Sequence, residues 1–306
     1  MNFYDIAVMT MNGSYPQGAG SGATEPPATA VRMDESRLSA SRGPKAPPGR
    51  PLEPPLAVLV IAHGSPHPEW NETVETAVRQ AGLALPVRVG FLGGVPGRGI
   101  ADELARFEQD GFRTVIVVPL FISEGSTHLT EIRYMLGLIP EPDIETDLRP
   151  VRTAAKLVWC PPLEDAPQAE AVWTDRVREL SAHAEQETLL VIGHGSGHPR
   201  YRERWARLLQ KAASRLQRKF GFRQASYATL LPDTAAAEAA KLAGEGRLLV
   251  LPLFLSEGYF TQKAIPGRLN GLSYIYSGKT YLPHPLVSEW IGKTVSRQLA
   301  RNFQNV

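Results

Sequence analysis

The chain has 306 residues, room for two ordinary domains, and its 43% apolar and 21% charged residues are a globular rather than a disordered or fibrous composition. Lys and Arg total 33 against 31 Asp and Glu, and the net charge of +2 gives no ground for nucleic acid or an anionic membrane as partner. The single Cys160 excludes an intrachain disulfide or a Cys-rich metal cage. No apolar run reaches the ~20 residues of a membrane helix, and no secretory signal is visible, so a cytoplasmic location is expected.

Residues 1–55 are rich in Pro, Gly, Ala, Ser and Arg without apolar periodicity, and are expected to form a disordered extension. From Leu56 onward, apolar β-branched runs alternate with amphipathic stretches. Strands are expected near 57–62, 87–91, 115–120 and 156–160, with helices near 70–82, 100–110, 129–137 and 167–184. The first strand runs into His63-Gly64-Ser65-Pro66-His67-Pro68, and the third reads Val117-Val-Pro-Leu-Phe-Ile-Ser-Glu-Gly125. Cys160 closes the fourth as a small buried hydrophobe.

The pattern then repeats. Leu189-Leu-Val-Ile-Gly193 leads into His194-Gly195-Ser196-Gly197-His198-Pro199, and Leu249-Val-Leu-Pro-Leu-Phe-Leu-Ser-Glu-Gly258 matches the earlier third strand. Pro283-His-Pro-Leu286 is matched with Cys160-Pro-Pro-Leu163 as a third landmark. Strands of the second copy are expected near 188–193, 223–228, 247–253 and 279–282. Continuous apolar strands separated by helices indicate parallel sheets covered on both faces. The expected fold class is therefore α/β, with two tandem doubly wound, flavodoxin-like domains from an internal duplication, at 56–186 and 187–306.

In such sheets ligands bind beyond the carboxyl ends of the strands. His63 follows the first strand and His128 the third, so neighbouring strands would bring both imidazoles to one rim. Two imidazoles near a carboxylate suit a divalent transition metal, and a neutral imidazole can equally take a proton from a substrate N–H. Glu131, one turn beyond His128, is either part of that centre or an ordinary first-turn acid. Ser126 or Thr127 is placed to cap the helix that starts there. His67 and His198, each before a proline, read as loop-shaping residues. The second copy keeps His194 but has Gly258-Tyr259-Phe260-Thr261-Gln262-Lys263 where His128 would fall. One reactive centre would then lie in copy one, with Tyr259 and Phe260 either a wall for a flat ligand or core aromatics.

The strand–His63-Gly64-Ser65 unit, Val118-Pro119-Leu120-Phe121-Ile122-Ser123 followed by Gly125 and His128, and the duplicated layout together resemble the class II tetrapyrrole chelatases, specifically the CbiX-type sirohydrochlorin chelatases. The resemblance spans Leu56 to about Val295. It implies a lyase that inserts Co²⁺, or in second place Fe²⁺, into sirohydrochlorin for cobalamin or sirohaem synthesis. It implies no ATP and no organic cofactor, the metal being a substrate. His63 and His128 would hold the metal and help remove pyrrole protons, with Glu131 assisting. Ser65, Ser123, Gly125, Ser126, His194 and Tyr259 would contact the macrocycle, and Arg98, Arg133 and Arg200 are candidates to pair with its carboxylates. A monomer or a homodimer is expected.

The chain departs from the family pattern at Phe91-Leu92-Gly93-Gly94, where members commonly carry Phe-Leu-Glu, and at Glu131-Ile132-Arg133, where Asp-Ile-Pro-like sequences are common. The alternative reading is accordingly a non-catalytic tetrapyrrole or metal carrier descended from such an enzyme. A phosphohistidine enzyme is disfavoured, because Ala62 and Gly193 stand where an Arg would clamp phosphate.

Overall fold

The computed structural model describes residues 54–303, so the extension expected over 1–55 lies almost wholly outside the described residues. The first series is β1 (Leu56–Ala62), α1 (Pro68–Gln80), β2 (Val87–Phe91), α2 (Ile100–Gln109), β3 (Thr114–Pro119), α3 (Thr127–Met135), β4 (Lys156–Trp159) and α4 (Pro167–Leu180). The second is β5 (Glu187–Gly195), α5 (Pro199–Phe220), β6 (Gln224–Leu231), α6 (Ala235–Ala243) and β7 (Arg247–Pro252). A π-helical turn, Phe260–Ala264, then runs into the short α7 (Ile265–Arg268), followed by β8 (Tyr274–Ile275) and α8 (Pro285–Phe303). Both sheets are wholly parallel, ordered β2-β1-β3-β4 and β6-β5-β7-β8. The fold class expected from the repeat is the one observed.

The central strands read as unbroken apolar runs because both their faces are covered. Strand alternation sends Val58, Val60 and Ala62 to one face and Ala57, Leu59 and Ile61 to the other. The first set joins Leu189, Val191, Leu249 and Leu251 of the second sheet in one continuous core, filled from between by α1, α4, α5 and α8. The outward faces have separate smaller cores, under α2 and α3 on one sheet and under α6 and α7 on the other. The layers thus run helix, sheet, helix, sheet, helix.

The closing helices are exchanged between the copies. Helix α4 packs on β7 of the second sheet, α8 packs on β3 of the first, and the two helices lie against each other. The buried Arg176 of α4 donates from Nε to the Thr280 carbonyl at 2.9 Å and from Nη2 to the Pro283 carbonyl at 3.0 Å. Trp173 Nε1 donates to the Tyr281 hydroxyl, and Trp173 and Trp290 are both buried in the shared core. Full burial of side chains this large is worth roughly 3 kcal/mol or more each, so the exchange is a principal source of cohesion.

Two expectations are corrected. The fourth strand of copy two is Tyr274–Ile275, not 279–282. Lys279-Thr-Tyr-Leu282 has strand-forming residues, but Tyr281 and Leu282 donate to the carbonyls of Phe254 and Leu255, beyond the end of β7. Leu163 and Glu164 donate to Phe121 and Ile122 in the same way. Leu163 therefore corresponds to Tyr281, and Pro167, which starts α4, to Pro285, which starts α8. The sequence match of Cys160-Pro-Pro with Pro283-His-Pro joins the right loops in the wrong register.

Candidate functional site

The His-Gly-Ser unit has a backbone reason. Gly64 and Gly195 take φ of +83° and +79°, a region that favours glycine. A Cβ on Gly64 would stand 2.1 Å from the Gly93 carbonyl, and one on Gly195 would stand 2.1 Å from that of Leu231. The loop after β2 lies directly on Gly64 and the end of β6 directly on Gly195, and Gly93 N–H donates to the His63 carbonyl at 3.0 Å. Each serine then shapes the turn: His67 N–H donates to Ser65 Oγ at 3.1 Å and His198 N–H to Ser196 Oγ at 3.2 Å. The preceding histidine is thereby fixed at the rim.

His63 and His128 meet there, with ring centroids 5.0 Å apart and planes inclined at 64°. His63 Nδ1 lies 2.9 Å from the Gly64 carbonyl, which can only accept, so Nδ1 carries the proton and Nε2 the lone pair. His128 Nδ1 lies 2.6 Å from Glu131 Oε2, and the carboxylate fixes the same tautomer. Thr146 donates to the other oxygen, Glu131 Oε1, at 3.1 Å. Glu131 is thus turned onto His128 and Thr146 rather than offered as a ligand. Backing of an imidazole by a carboxylate is how metal-binding histidines are commonly oriented and made more basic.

Charge on His63 is disfavoured. His63 presents an accessible edge but is crowded by protein, and that desolvation, followed by the charge of His128, lowers its pKa. Burial on its own would raise the Glu131 carboxyl, but the hydrogen bond from His128, its charge and Thr146 bring it below the usual range. A neutral His63 near an ionised Glu131 is the protonation state a cation needs.

His194 of copy two lies close enough for its charge to act on His63, and that of His128 acts on it. Its Nδ1 is 3.1 Å from the Gly195 carbonyl, so Nε2 again carries the lone pair, and burial lowers its pKa. Phe260 occupies the place of His128, its ring 5.0 Å from that of His194 at 85°. Tyr259 packs on Phe260 at 5.7 Å, one layer behind. Among the described residues, no group of three or more His, Cys, Asp and Glu is arranged to hold a metal ion.

Other residues expected at the site have partners within the protein. Ser123 is buried, donates to Glu164 Oε1 at 3.1 Å and accepts from Gly125 N–H at 2.9 Å. Gly125 is pressed against α5, where an added Cβ would come within 2.6 Å of Trp205 Cδ1 and 2.8 Å of the Tyr201 carbonyl. Ser126 is the residue before α3 but makes no side-chain cap, and neither does Thr127 as the first helical residue. The three arginines are already paired. Arg98 holds Glu103 at 2.7 Å and Glu75 at 3.1 Å, Arg133 holds Glu124 at 2.7 Å, and Arg200 holds Asp143 at 2.6 Å. Cys160 is buried and its thiol is pushed up to about 12, which leaves it inert. A cleft of about 880 Å³ beside α5 is lined by Glu124, Glu164, Asp165, Arg204, Arg207 and Lys211 and by none of the histidines. Lys211 pairs there with Asp165, and Arg204 with Glu124 at 3.9 Å. Thr146 was not foreseen, because it stands in a stretch without periodicity.

The CbiX family model matches residues 57–180 and again residues 188–298. A sirohydrochlorin cobaltochelatase of Methanopyrus kandleri is 28% identical over 138 residues, which span 40% of this chain and 96% of that protein. Among solved structures, SirB from Bacillus subtilis with Fe3+ superposes with a TM-score of 0.63 at 17% identity, covering 82% of this chain and 97% of SirB. DR2241 from Deinococcus radiodurans, a multi-domain protein with structural similarity to chelatases, gives a TM-score of 0.56 at 20% identity, covering 81% of this chain and 55% of its own.

Proposed function

We propose that this chain, which belongs to the CbiX family, is a lyase that inserts a divalent metal into sirohydrochlorin without ATP, Co²⁺ in the first place and Fe²⁺ in the second. The observation that carries this reading is the facing His63–His128 pair, each imidazole with its N–H already committed and its Nε2 lone pair free. Two nitrogen ligands leave most of the metal's coordination sphere open. Such a site holds an ion without trapping it, which is what handover to a macrocycle requires. Glu131 is a positioning residue that keeps His128 in the ligating tautomer.

Metal choice is not written in two imidazoles, which suit several first-row ions. The cobaltochelatase of Methanopyrus kandleri supports Co²⁺, and the Fe3+ bound by SirB supports iron. The test is absorbance spectroscopy of purified protein with sirohydrochlorin and Co²⁺ or Fe²⁺. Turnover above the spontaneous rate, abolished by His63→Ala or His128→Ala, is expected. The second reading, a non-catalytic tetrapyrrole or metal carrier, rests on Gly93 standing where the family commonly has a carboxylate. Stoichiometric binding without turnover would decide for it.

A further inference from the structure

We infer that Asp143 and the Tyr201 hydroxyl of copy two are positioning residues for the metal site of copy one: they pin the connection between α3 and β4 so that Thr146 holds Glu131 against His128. This rests on the reading of His63 and His128 as a metal site.

That connection, residues 136–155, contains no helix or strand. Loops beyond about 12–15 residues without secondary structure are uncommon in compact domains and usually serve a function. The far end of this strap is secured to copy one. Thr153 Oγ1 and Ala155 N–H donate to Glu108 Oε1 of α2 at 2.6 and 3.2 Å, and Val151 N–H donates to the Met135 carbonyl at 2.7 Å. Leu148 and Val151 pack on the outer core of the first sheet. Asp143 fastens the strap to copy two instead. Its Oδ2 accepts from Arg200 Nη1 at 2.6 Å, and its Oδ1 accepts from the Tyr201 hydroxyl.

Tyr201 is buried on α5, and its hydroxyl also lies 2.6 Å from Thr130 Oγ1. The hydrogen bond from Tyr201, and then the charge of Arg200, keep Asp143 ionised. An ionised carboxylate only accepts, so Tyr201 gives its one proton to Asp143 and accepts from Thr130. Thr130 immediately precedes Glu131 on α3, and Thr146 follows Asp143 by three residues on the strap. The contacts therefore close a ring: Thr130 to Tyr201, Tyr201 to Asp143, along the strap to Thr146, and from Thr146 to Glu131. Thr146 Oγ1 accepts from Leu148 N–H at 3.2 Å, which leaves its own proton for Glu131 Oε1. A strap displaced by one residue, about 3.5 Å, would take this donor away and free the carboxylate to rotate off His128 Nδ1. The Tyr201 hydroxyl thus acts on the metal through Asp143, Thr146, Glu131 and His128 in turn.

The test is calorimetric titration of the full chain with Co²⁺ alone. Wild type is compared with Tyr201→Phe, which keeps the buried ring and removes the hydroxyl, and with Asp143→Ala. Each should weaken Co²⁺ binding by about three- to fivefold, below the roughly tenfold low end for losing a direct partner of a metal-binding histidine, because Glu131 itself is retained. Asp143→Asn keeps an acceptor for Tyr201 and should bind as the wild type does. On a Thr146→Val background, neither Tyr201→Phe nor Asp143→Ala should weaken binding further, since the link to Glu131 is already cut. Thermal unfolding reads stability separately; a merely structural role would lower it on both backgrounds and leave Co²⁺ affinity alone. Wild-type affinity in Tyr201→Phe and Asp143→Ala would overturn the inference. So would losses that persist on the Thr146→Val background, or an Asp143→Asn as weak as Asp143→Ala. If Tyr201→Phe does not fold, the Asp143 variants decide. A wild-type chain that binds no Co²⁺ would overturn the metal-site reading and this inference with it; a wild type that binds Co²⁺ and is indifferent to Asp143 would overturn this inference alone.

Discussion

Replacing Glu131 by Gln tests whether the carboxylate behind His128 matters to the metal. The wild-type contact is a 2.6 Å hydrogen bond from Nδ1–H to an ionised oxygen, with Thr146 holding the other oxygen. Gln keeps an acceptor for His128, and its amide can donate to Thr146 Oγ, so the geometry survives while the charge is removed. Hydrogen bonds to charged groups are worth about 1.5–3 kcal/mol and neutral ones about 0.5–1.5, a difference of about 1–1.5 kcal/mol. That corresponds to roughly a tenfold loss of Co²⁺ affinity. Glu131→Ala also frees the tautomer and should approach the ~100-fold end of such effects. The assay is calorimetric titration of the protein with Co²⁺ alone, with thermal unfolding as a check that the fold is intact. If both variants bind as the wild type does, the carboxylate does not act through His128 and the reasoning fails.

Phe260→His combined with Lys263→Glu should rebuild the missing pair in copy two and raise Co²⁺ stoichiometry from one to two per chain; Phe260→His alone should bind the second ion more weakly. Gly125→Ala forces a Cβ to 2.8 Å from the Tyr201 carbonyl and 2.9 Å from the Trp205 nitrogen, and should lower stability by about 1–3 kcal/mol in denaturant unfolding. Gly258→Ala, with no atom near its added Cβ, is the matched control and should change little. Acid should destabilise the fold, because the folded pKa of His194 is lowered and the unfolded chain takes up the proton first. This stability is complete above about pH 6.5 and is lost as pH falls from there toward the folded value, by at most about 1.4 kcal/mol per pH unit. His63, whose edge meets water, adds less. His194→Phe should flatten that part of a plot of stability against pH.

The duplication and the central strands were legible because a strand buried on both faces leaves an unbroken apolar run, and β1, β3, β5 and β7 all have one. The His63–His128 pairing followed from topology, since strands one and three are neighbours in this winding. Edge features were less legible. Strand β8 has two residues, too few to signal by composition, while Thr280-Tyr-Leu imitates a strand. The exchange of α4 and α8 left no trace, because periodicity reveals which face of a helix is buried but not which sheet covers it. Charge alone did not disclose the acidic neighbours of Arg98, Arg133 and Arg200, which are Glu75 and Glu103, Glu124, and Asp143. Ser123 and Gly125 stood out in the sequence, and in the structure both help to build the loop after β3.

The crossing of α4 and α8 has a consequence for how the two halves can move. A two-lobed protein whose lobes are joined only by a linker can open like a clam, and its jaws then close on what they hold. Here each jaw is bolted to the other by its own last helix, with Arg176 and Trp173 as the bolts. Swinging the jaws apart would tear Trp173 and Trp290 out of the shared core. The two halves are therefore held at one fixed spacing. Any change at the site must then come from its loops and side chains rather than from a swing of one half against the other.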